Sequence, residues 1–458
     1  PPYSPSFFRR EEGKRNTMQR VSKIVEHLSP HESKETIHAH PTAGKNKADD
    51  IVIVSALRTP IGKAGKGVFK DTYVEDLLST VLKAVVEPHA KTLDKAAVGD
   101  IVVGYVQGNG SQGANEARMA SFLAGFPYTV PVHTVNRQCS SGLQAIAHVA
   151  ANINAGFYDI GIAAGVESMT KGSLSWRGDM NPKVMENDGA RECLTPMGIT
   201  SENVAKEYKI SRKEQDELSV RSHARAAEAI KNGRFKAEIV PVTTTVKDPK
   251  SGAEKQITVD TDEGVRAGTT LEALSKLKPA FDQDGSTTAG NASQVSDGAA
   301  ACLLMKRSTA NKLKLPVLGV FRNYAVAGVP PAVMGIGPAF AIPAALKQAG
   351  LESSQIDLWE INEAFASQAS YCVKKLNLPW DKVNVNGGAI ALGNWTVTRL
   401  CAGHPLGCTG ARCAATLLHE MQKRKSKYGV CRPIQTWQVV SMCIGSGMGA
   451  AGVFERDS

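Results

Sequence analysis

Residues 132–165 read VHTVNRQCSSGLQAIAHVAANINAGFYDIGIAAG, and this stretch decides the fold. It begins with a short β-branched run, passes through the small residues of RQCSSG and continues into LQAIAHVAANINAG, which has the composition and length of a helix. The closing YDIGIAAG is an apolar run typical of a buried strand. The pattern predicts strand, turn, helix and strand, the repeating unit of an α/β sheet.

A second stretch of the same design lies near the end of the chain. KVNVNGG (382–388) leads into GHPLGCTG (403–410) and the helix-like ARCAATLLHEMQKR, and VVSMCIGSGMGAAGVFE (439–455) follows. Two similar units predict two α/β halves that face each other. We therefore expect Cys139 and His404, each in a turn that enters a helix, at one shared interface.

The residues before the first unit also alternate between strand and helix patterns. IVIVSAL (51–57), DLLSTVLKAVVE (76–87) and DIVVGYV (100–106) predict buried parallel strands with helices on both faces. Residues 170–285 instead carry many Lys, Arg, Glu and Thr, which predicts an inserted domain above the site. The predicted organisation is, in chain order, a first half (49–169), a loop domain (170–285), a return to the first half (286–315) and a second half (316–458).

Composition narrows the class of protein. The chain has 458 residues, 42% hydrophobic and 21% charged, and no apolar run approaches the roughly 18 residues of a membrane-spanning helix. We expect a soluble protein inside a cell. Its nine Cys include no CxxC pair, which favours reduced thiols over a zinc site. The net charge of +10 fits a phosphorylated cofactor, but the basic residues form no nucleic-acid-binding motif.

Two residues at the predicted interface carry nucleophile and base chemistry. Cys139 is followed by three small residues, so we expect an accessible sulfur near free helix amides and a lowered thiol pKa. His404 precedes a Pro-Leu-Gly turn, where an imidazole can accept the thiol proton. The alternatives are a buried structural cysteine and a surface histidine.

Two further motifs offer polar groups for the same site. Cys443 lies in MCIGSGMG, whose glycines expose backbone amides that can bind an oxyanion, although close strand packing explains them equally well. Asn362 and Glu363 follow the apolar strand pattern IDLWEI, where an ordinary helix cap is the alternative.

Five motifs follow one another along the chain as they do in the thiolase family. They are VNRQCSSGLQAIAHV, NASQVSDGAAACLL, INEAFA, NGGAIALG with HPLGCTGAR, and SMCIGSGMGAAGVF. The chain resembles this family over about residues 50–456. Within it, the chain is most similar to the 3-ketoacyl-CoA thiolases (acetyl-CoA acyltransferases) of plant-type peroxisomes. The resemblance implies a layered α-β-α-β-α core, a homodimer and a role in fatty-acid β-oxidation.

The resemblance also assigns roles to five residues. It implies that Cys139, activated by His404, attacks the 3-keto carbon of a 3-ketoacyl-CoA. Asn362 positions a water for the enolate oxygen and Cys443 delivers a proton to carbon. CoA then removes the acyl group while the amides of Cys139 and Gly445 hold the oxyanion.

The same resemblance names the co-substrate and its contacts. CoA is implied as co-substrate, with no permanently bound cofactor and no metal. Ser293 and Met197 match family positions near the pantetheine arm of CoA. The substrate partners implied are therefore 3-ketoacyl-CoA and CoA.

The N-terminal region resembles a targeting segment. We expect residues 1–17 to lie upstream of the true start at Met18, and residues 18–48 to be a targeting segment and linker. The spacing of Arg20, Val21, His27 and Leu28 resembles a peroxisomal targeting nonapeptide, with a chance amphipathic turn as the alternative. The resemblance implies a peroxisomal import receptor as partner and the peroxisome matrix, or glyoxysome, as location.

Two stretches depart from the family pattern. Thiolases read GGAIALGHPLG and YGVVSMCIG without a break, whereas residues 394–403 and 430–438 interrupt these motifs here. We expect both stretches to be translated introns or gene-model errors. If they are genuine, the alternative is a catalytically impaired thiolase-like protein.

Two other enzymes of the same fold are alternatives. One is an acetoacetyl-CoA thiolase, because the acyl chain-length preference is not readable from the residues. The other is a decarboxylating condensing enzyme, which we rank low because it would carry His at the position of Asn362.

Overall fold

The computed structural model describes residues 48–108, 110, 113–172, 180–248, 250–392, 403–427 and 436–457. The predicted upstream and targeting segments, including Arg20, Val21, His27 and Leu28, lie outside these residues. So do residues 394–402 of the first inserted stretch and residues 430–435 of the second.

The strands of the described residues form one large sheet and a separate hairpin. They are β1 (Ile51–Arg58), β2 (Gly62–Lys63), β3 (Asp100–Gly104), β4 (Val132–Val135), β5 (Ile160–Ser168), β6 (Val242–Lys247), β7 (Glu254–Val259), β8 (Ser296–Lys306), β9 (Gly319–Gly328), β10 (Ile356–Ile361), β11 (Trp437–Ile444) and β12 (Met448–Glu455). The sheet has ten strands in the order β10-β11-β12-β9-β1-β8-β5-β3-β4, and β2 pairs with β8 outside this path. The strands β6 and β7 form the hairpin.

Helices lie between most of these strands. They are α1 (Val74–Val86), α2 (Ala114–Leu123), α3 (Ser141–Asn154), α4 (Lys183–Glu186), α5 (Asp188–Glu192), α6 (Met197–Glu207), α7 (Arg212–Lys231), α8 (Leu271–Ser275), α9 (Arg307–Lys312), α10 (Gly337–Ala349), α11 (Ala366–Lys375) and α12 (Leu406–Lys427). Among these helices, none combines the length and apolar character that a bilayer crossing requires.

The predicted first strand is present, but its predicted parallel pairing is wrong. Strand β1 is buried almost throughout and pairs antiparallel with β8 and β9. Strand β8 enters the sheet after the 170–285 region and lies antiparallel between β1 and β5. Parallel pairing is found between β3 and its neighbours β4 and β5, and between β10 and β11.

Two glycines allow the helices that follow the turns of Cys139 and His404 to meet. A Cβ on Gly142 of α3 would lie 2.7 Å from the backbone nitrogen of Ala411 in α12. A Cβ on Gly410 of α12 would lie 2.1 Å from the backbone nitrogen of Leu143 in α3. Real Cβ atoms do not approach so closely, so glycine is required at both positions. This contact brings the turns of Cys139 and His404 toward each other.

The predicted strand at KVNVNGG is absent. Val383 makes one isolated bridge to Trp359, and the next residue, Asn384, has a φ of +45°. The Asn384 side chain accepts from the Ile361 amide at 2.9 Å and donates to the Ile361 carbonyl at 2.8 Å. Because this side chain forms the bonds that a neighbouring strand would form, the backbone turns away after one residue.

The end of the chain folds as two strands where one was predicted. Strands β11 and β12 pair antiparallel through a turn at residues 445–447, in which Ser446 and Gly447 have φ of +60° and +89°. Trp437 and Gln438, the last residues of the second inserted stretch, are buried in β11 opposite Glu455 and Phe454. The last two residues of the second inserted stretch therefore belong to the sheet.

Candidate active site

Cys139 lies in a short turn between the first unit's strand and its helix. The turn, Gln138–Ser140, is a single 3₁₀ turn directly before α3, and Cys139 is only 8% exposed. This turn packs against Gly445, in the turn between β11 and β12: a Cβ on Gly445 would lie 1.9 Å from Gln138 Oε1, and the Gly445 N–H lowers the pKa of the Cys139 thiol. The nucleophile predicted from one half therefore contacts the glycine loop of the other half.

The prediction of an accessible Cys139 with a lowered thiol pKa is wrong. Burial raises the pKa of Cys139 to about 11, while the amides of Gly445 and of Cys139 itself oppose this effect. The nearby charge of Glu167 acts in the same direction as burial. Loss of hydration disfavours the thiolate more than two amide donors stabilise it, so the resting sulfur is a protonated thiol at neutral pH.

Cys443 lies on β11, close to the first sulfur. Its side chain is fully buried, and its thiol pKa is raised well above the ordinary value, first by burial and next by the proximity of Cys139. It packs in one apolar cluster with Ala292, Ala364 and Phe365. The two predicted cysteines and the INEAFA segment are therefore brought together.

Asn362 is buried without a partner for its side chain. Its backbone N–H donates to the Ser441 carbonyl of β11 at 2.8 Å. Among the described residues, neither its Oδ1 nor its Nδ2 has a hydrogen-bond partner, although the residue is 1% exposed. It is not a helix cap, because α11 begins at Ala366 after Phe365. An unpartnered buried amide costs free energy, so this side chain is suited to bind a water or a ligand.

Glu363, the residue after Asn362, is held in place by hydrogen bonds to its carboxylate. Its carboxylate accepts from Ser222 Oγ at 2.7 Å, from Asn384 Nδ2 at 2.8 Å and from the Ile390 amide at 3.2 Å. Glu363 therefore acts as a support that joins α7 and the 384–390 turn.

His404 is held at its backbone and at one ring nitrogen. Its N–H donates to the Gln294 carbonyl at 3.0 Å, and its Nδ1 lies 2.5 Å from Thr409 Oγ1. The Thr409 hydroxyl donates its proton to the Pro405 carbonyl at 2.9 Å. The Thr409 oxygen must then accept from Nδ1–H, which leaves the proton off Nε2.

The second ring nitrogen of His404 carries no proton in the resting site. Nε2 is buried and has no partner among the described residues. Burial, and next the charge of Arg412, lower the pKa of His404 to about 3. The imidazole is therefore neutral, with its basic lone pair on the unpartnered nitrogen.

Sequence reasoning missed Glu167, which supports the His404 turn. This buried carboxylate is the second-last residue of β5 and accepts from the amides of Val106 at 3.2 Å, Gln107 at 3.0 Å and Gly407 at 3.0 Å. It joins the loop after β3 to the start of α12, where an acidic group also suits the helix N-terminus. A single acid after the apolar run of β5 is the one signal in the sequence.

The two predicted CoA-contacting residues lie beside these groups. Ser293 donates from Oγ to the Ala364 carbonyl at 2.7 Å. Met197 begins α6, and its sulfur is 3.7 Å from where a Cβ of Gly445 would lie. Gln294, which follows Ser293 in the chain, is buried, and neither the oxygen nor the nitrogen of its side-chain amide has a partner among the described residues.

The described structure thus gathers the predicted residues in two ways. Cys139 lies near Gly445 and Cys443, because the Gly445 amide lowers the pKa of the Cys139 thiol and Cys139 raises the pKa of the Cys443 thiol. The segments of Asn362 and His404 are joined through residues 293–294, by the bonds to the Ala364 carbonyl and from the His404 amide. Within the described ranges, no group of three His, Cys, Asp or Glu side chains is arranged to hold a metal ion.

Comparison with known proteins identifies the family of this arrangement. The family model described as thiolase, N-terminal domain, matches residues 51–308, and that described as thiolase, C-terminal domain, matches residues 315–456. The peroxisomal 3-ketoacyl-CoA thiolase 1 of Arabidopsis thaliana is 57% identical over 439 residues, covering 94% of this chain and 95% of the relative.

Two solved structures have the same fold. The dimeric peroxisomal thiolase of Saccharomyces cerevisiae superposes with a TM-score of 0.79 at 44% identity, covering 90% of this chain and 99% of that chain. A peroxisomal 3-ketoacyl-CoA thiolase of the same yeast, described as five-layered and built from two core domains of identical topology, gives a TM-score of 0.70 at 40% identity with the same coverage. These matches confirm the predicted layered α/β fold. With both thiolase domains matched and more than half of the residues identical to a thiolase, the chain belongs to the thiolase family.

Proposed function

We propose that this chain is a peroxisomal 3-ketoacyl-CoA thiolase. It cleaves a 3-ketoacyl-CoA with CoA, giving acetyl-CoA and an acyl-CoA shortened by one acetyl unit, in fatty-acid β-oxidation. Family membership and the relatives' names support this activity and location. The observation that carries it is the packing of the buried Cys139 turn against Gly445, beside the second buried thiol of Cys443.

In the first half-reaction, the nucleophile and the base both start in their neutral forms. Cys139 is a thiol and His404 a neutral imidazole, so proton transfer to Nε2 accompanies the attack of sulfur on the 3-keto carbon. The bond between carbons 2 and 3 then breaks, and its electron pair becomes the enolate of acetyl-CoA. Asn362, through a bound water, and His404 stabilise the enolate oxygen. Cys443 gives its proton to carbon 2 and is left as thiolate.

The second half-reaction releases the acyl group. The Cys443 thiolate takes the proton of the incoming CoA thiol, whose sulfur attacks the thioester carbon on Cys139. The amides of Cys139 and Gly445 stabilise the tetrahedral oxyanion. Cys139 leaves and recovers its proton from His404, so the enzyme returns to its starting state.

CoA acts here as co-substrate, with no permanently bound cofactor. Ser293 and Met197 are proposed to contact its pantetheine arm. Their positions beside Ala364 and Gly445 support this assignment.

The proposed assembly is a homodimer. Strand β4 ends the strand order and pairs with β3. The adjoining helix α2 carries exposed Met119, Phe122 and Leu123. An open strand edge beside exposed apolar side chains is suited to a second copy of the chain. The segment with Arg20 and His27 is proposed to bind a peroxisomal import receptor.

The acyl-enzyme is the direct test of the function. Purified protein is mixed with acetoacetyl-CoA without CoA, and the digested protein is examined by mass spectrometry. An acetyl group on the Cys139 peptide, removed by added CoA, is expected, and the Cys139→Ser variant should lack it. Cys193→Ser, which changes an exposed cysteine, is the matched control. A wild-type chain that forms no acyl-enzyme is the impaired thiolase-like protein.

The substrate range separates the two thiolase alternatives. We expect thiolysis of both short and long 3-ketoacyl-CoA substrates. Cleavage of acetoacetyl-CoA alone would identify an acetoacetyl-CoA thiolase.

A further inference from the structure

Two residues on either side of the catalytic contact have unusual backbone conformations. Gln138, which precedes Cys139, has a φ of +46°, and Ser446, which follows Gly445, has a φ of +60°. Non-glycine residues in this left-handed region cost about 1–2 kcal/mol each. Such conformations persist only where surrounding interactions hold them.

The side chains of these two residues are hydrogen-bonded to each other. Gln138 Nε2 donates to Ser446 Oγ at 3.0 Å, and Ser446 Oγ donates to the Gly445 carbonyl at 2.6 Å. The Gln138 backbone is fixed at both ends, because its N–H donates to Asn136 Oδ1 at 2.9 Å and its carbonyl accepts from Ser141 Oγ at 2.6 Å. We name this pair the Gln138–Ser446 bridge.

The Gln138–Ser446 bridge packs closely against Gly445. A Cβ on Gly445 would be 1.9 Å from Gln138 Oε1, so any side chain there would displace the glutamine. The Gly445 carbonyl accepts from Ser446, Ser446 accepts from Gln138, which is bonded to Cys139, and the Gly445 N–H lowers the pKa of the Cys139 thiol.

We propose that Gln138 and Ser446 are positioning residues whose hydrogen bond holds the Gly445 amide against the sulfur of Cys139. The inference rests on the proposed thiolase reaction, and it adds two residues that touch neither the reacting carbon nor the thioester. One comes from each half of the chain, so the bridge also sets the distance between the two halves at the nucleophile.

The bridge matters in both half-reactions. The Gly445 N–H stabilises negative charge on sulfur during attack and on oxygen during release of the acyl group. An amide donor stabilises an oxyanion only at about 2.7–3.1 Å, and a displacement of about 1 Å can cost about 10²-fold in rate.

The test compares Gln138→Met and Ser446→Ala with the wild-type chain. Each variant is expected to lower kcat by about 10- to 100-fold with KM nearly unchanged. Each should also move the pH profile of Cys139 alkylation by iodoacetamide to higher pH, because the thiolate loses a donor while the effects of burial and of the Glu167 charge remain. The double variant should be no slower than the slower single variant, since both remove one bridge.

Two controls separate positioning from stability. Ser446→Gly removes the backbone strain but not the need for the hydroxyl, so it should lose as much kcat as Ser446→Ala. Asn377→Ala, at another non-glycine position with φ of +50°, should lower stability without moving the alkylation profile. Wild-type kcat in Ser446→Gly, an unmoved profile in Gln138→Met, or multiplying losses in the double variant would overturn the proposal. If the wild-type chain cleaves no 3-ketoacyl-CoA, the proposed function fails, while the alkylation profile still tests the bridge.

Discussion

Thr409 Oγ1 lies 2.5 Å from Nδ1 of His404, five residues earlier in the chain, and the same hydroxyl donates to Pro405 at the start of α12. This relationship fixes the tautomer of the proposed base. Thr409→Val is expected to lower kcat about 10- to 100-fold, because Nδ1–H loses its acceptor and the proton can move to Nε2. Thr409→Ser keeps the acceptor and should retain most activity. Steady-state kinetics of both variants provide the measurement, and full activity in Thr409→Val would contradict the tautomer assignment.

The resting site should contain no thiolate–imidazolium pair at neutral pH. The pKa of Cys139 is about 11 and that of His404 about 3, so the thiol keeps its proton and the imidazole does not take one. Since only the thiolate is alkylated, the rate of iodoacetamide modification of Cys139 should rise about tenfold per pH unit between about pH 7 and 10. Mass spectrometry of the Cys139 peptide gives the rates. A plateau below about pH 8 would show an ion pair instead.

Arg58 should be among the residues on which stability depends most. Its fully buried guanidinium donates to Glu238 at 2.7 Å and to both Asp262 oxygens at 2.7 and 2.9 Å. Arg58→Met leaves two buried carboxylates without their cation, which is expected to cost about 3–5 kcal/mol in urea unfolding. Glu238→Gln is the milder variant if Arg58→Met does not fold. Lys276→Ala, which breaks an exposed ion pair to Glu272, should hardly change the midpoint, and equal effects would contradict the ranking.

The proposed dimer surface can be tested by placing a charged side chain in it. Leu123, on α2 next to the β4 edge, is 63% exposed. Leu123→Glu should shift the chain from dimer to monomer in sedimentation, because a buried interface would desolvate the new carboxylate. Met185→Glu, an equivalent change at a 50% exposed methionine outside α2 and β4, should leave the dimer intact. A dimeric Leu123→Glu protein would place the interface elsewhere.

Removal of the first inserted stretch should not harm the enzyme. Deleting residues 394–403 joins Gly393 to His404, and a shorter connection restricts the position of the imidazole. We expect kcat to stay equal or rise by up to about 10²-fold. For the second stretch, the deletion should end at residue 436, because Trp437 and Gln438 pair in β11. A folded but inactive deletion variant would show that residues 394–403 are needed.

Local sequence patterns correctly predicted those strands and helices whose burial pattern is visible in consecutive residues. The apolar run of β1 and the helical spacing of α1 were read correctly, because periodic burial is visible in consecutive residues. The antiparallel pairing of β1 was not predicted, because its partner β8 lies more than two hundred residues away in the chain. The strand expected at KVNVNGG failed because the Asn384 side chain takes the hydrogen bonds of a strand, and side-chain direction is not visible in a pattern.

The sequence by itself determined the strand, turn, helix and strand around Cys139. It also determined that Cys139, His404, Cys443 and Asn362 stand in motifs of one family. Only the tertiary structure decided how these groups behave. Burial raises the pKa of the Cys139 thiol where the turn alone predicted a lowered one. Glu167, Thr409 and the Gln138–Ser446 bridge act through contacts between segments that the fold brings together. The hydration of the site residues and the geometry of their hydrogen-bond donors depend on such contacts. For this reason only the assembled structure decided them.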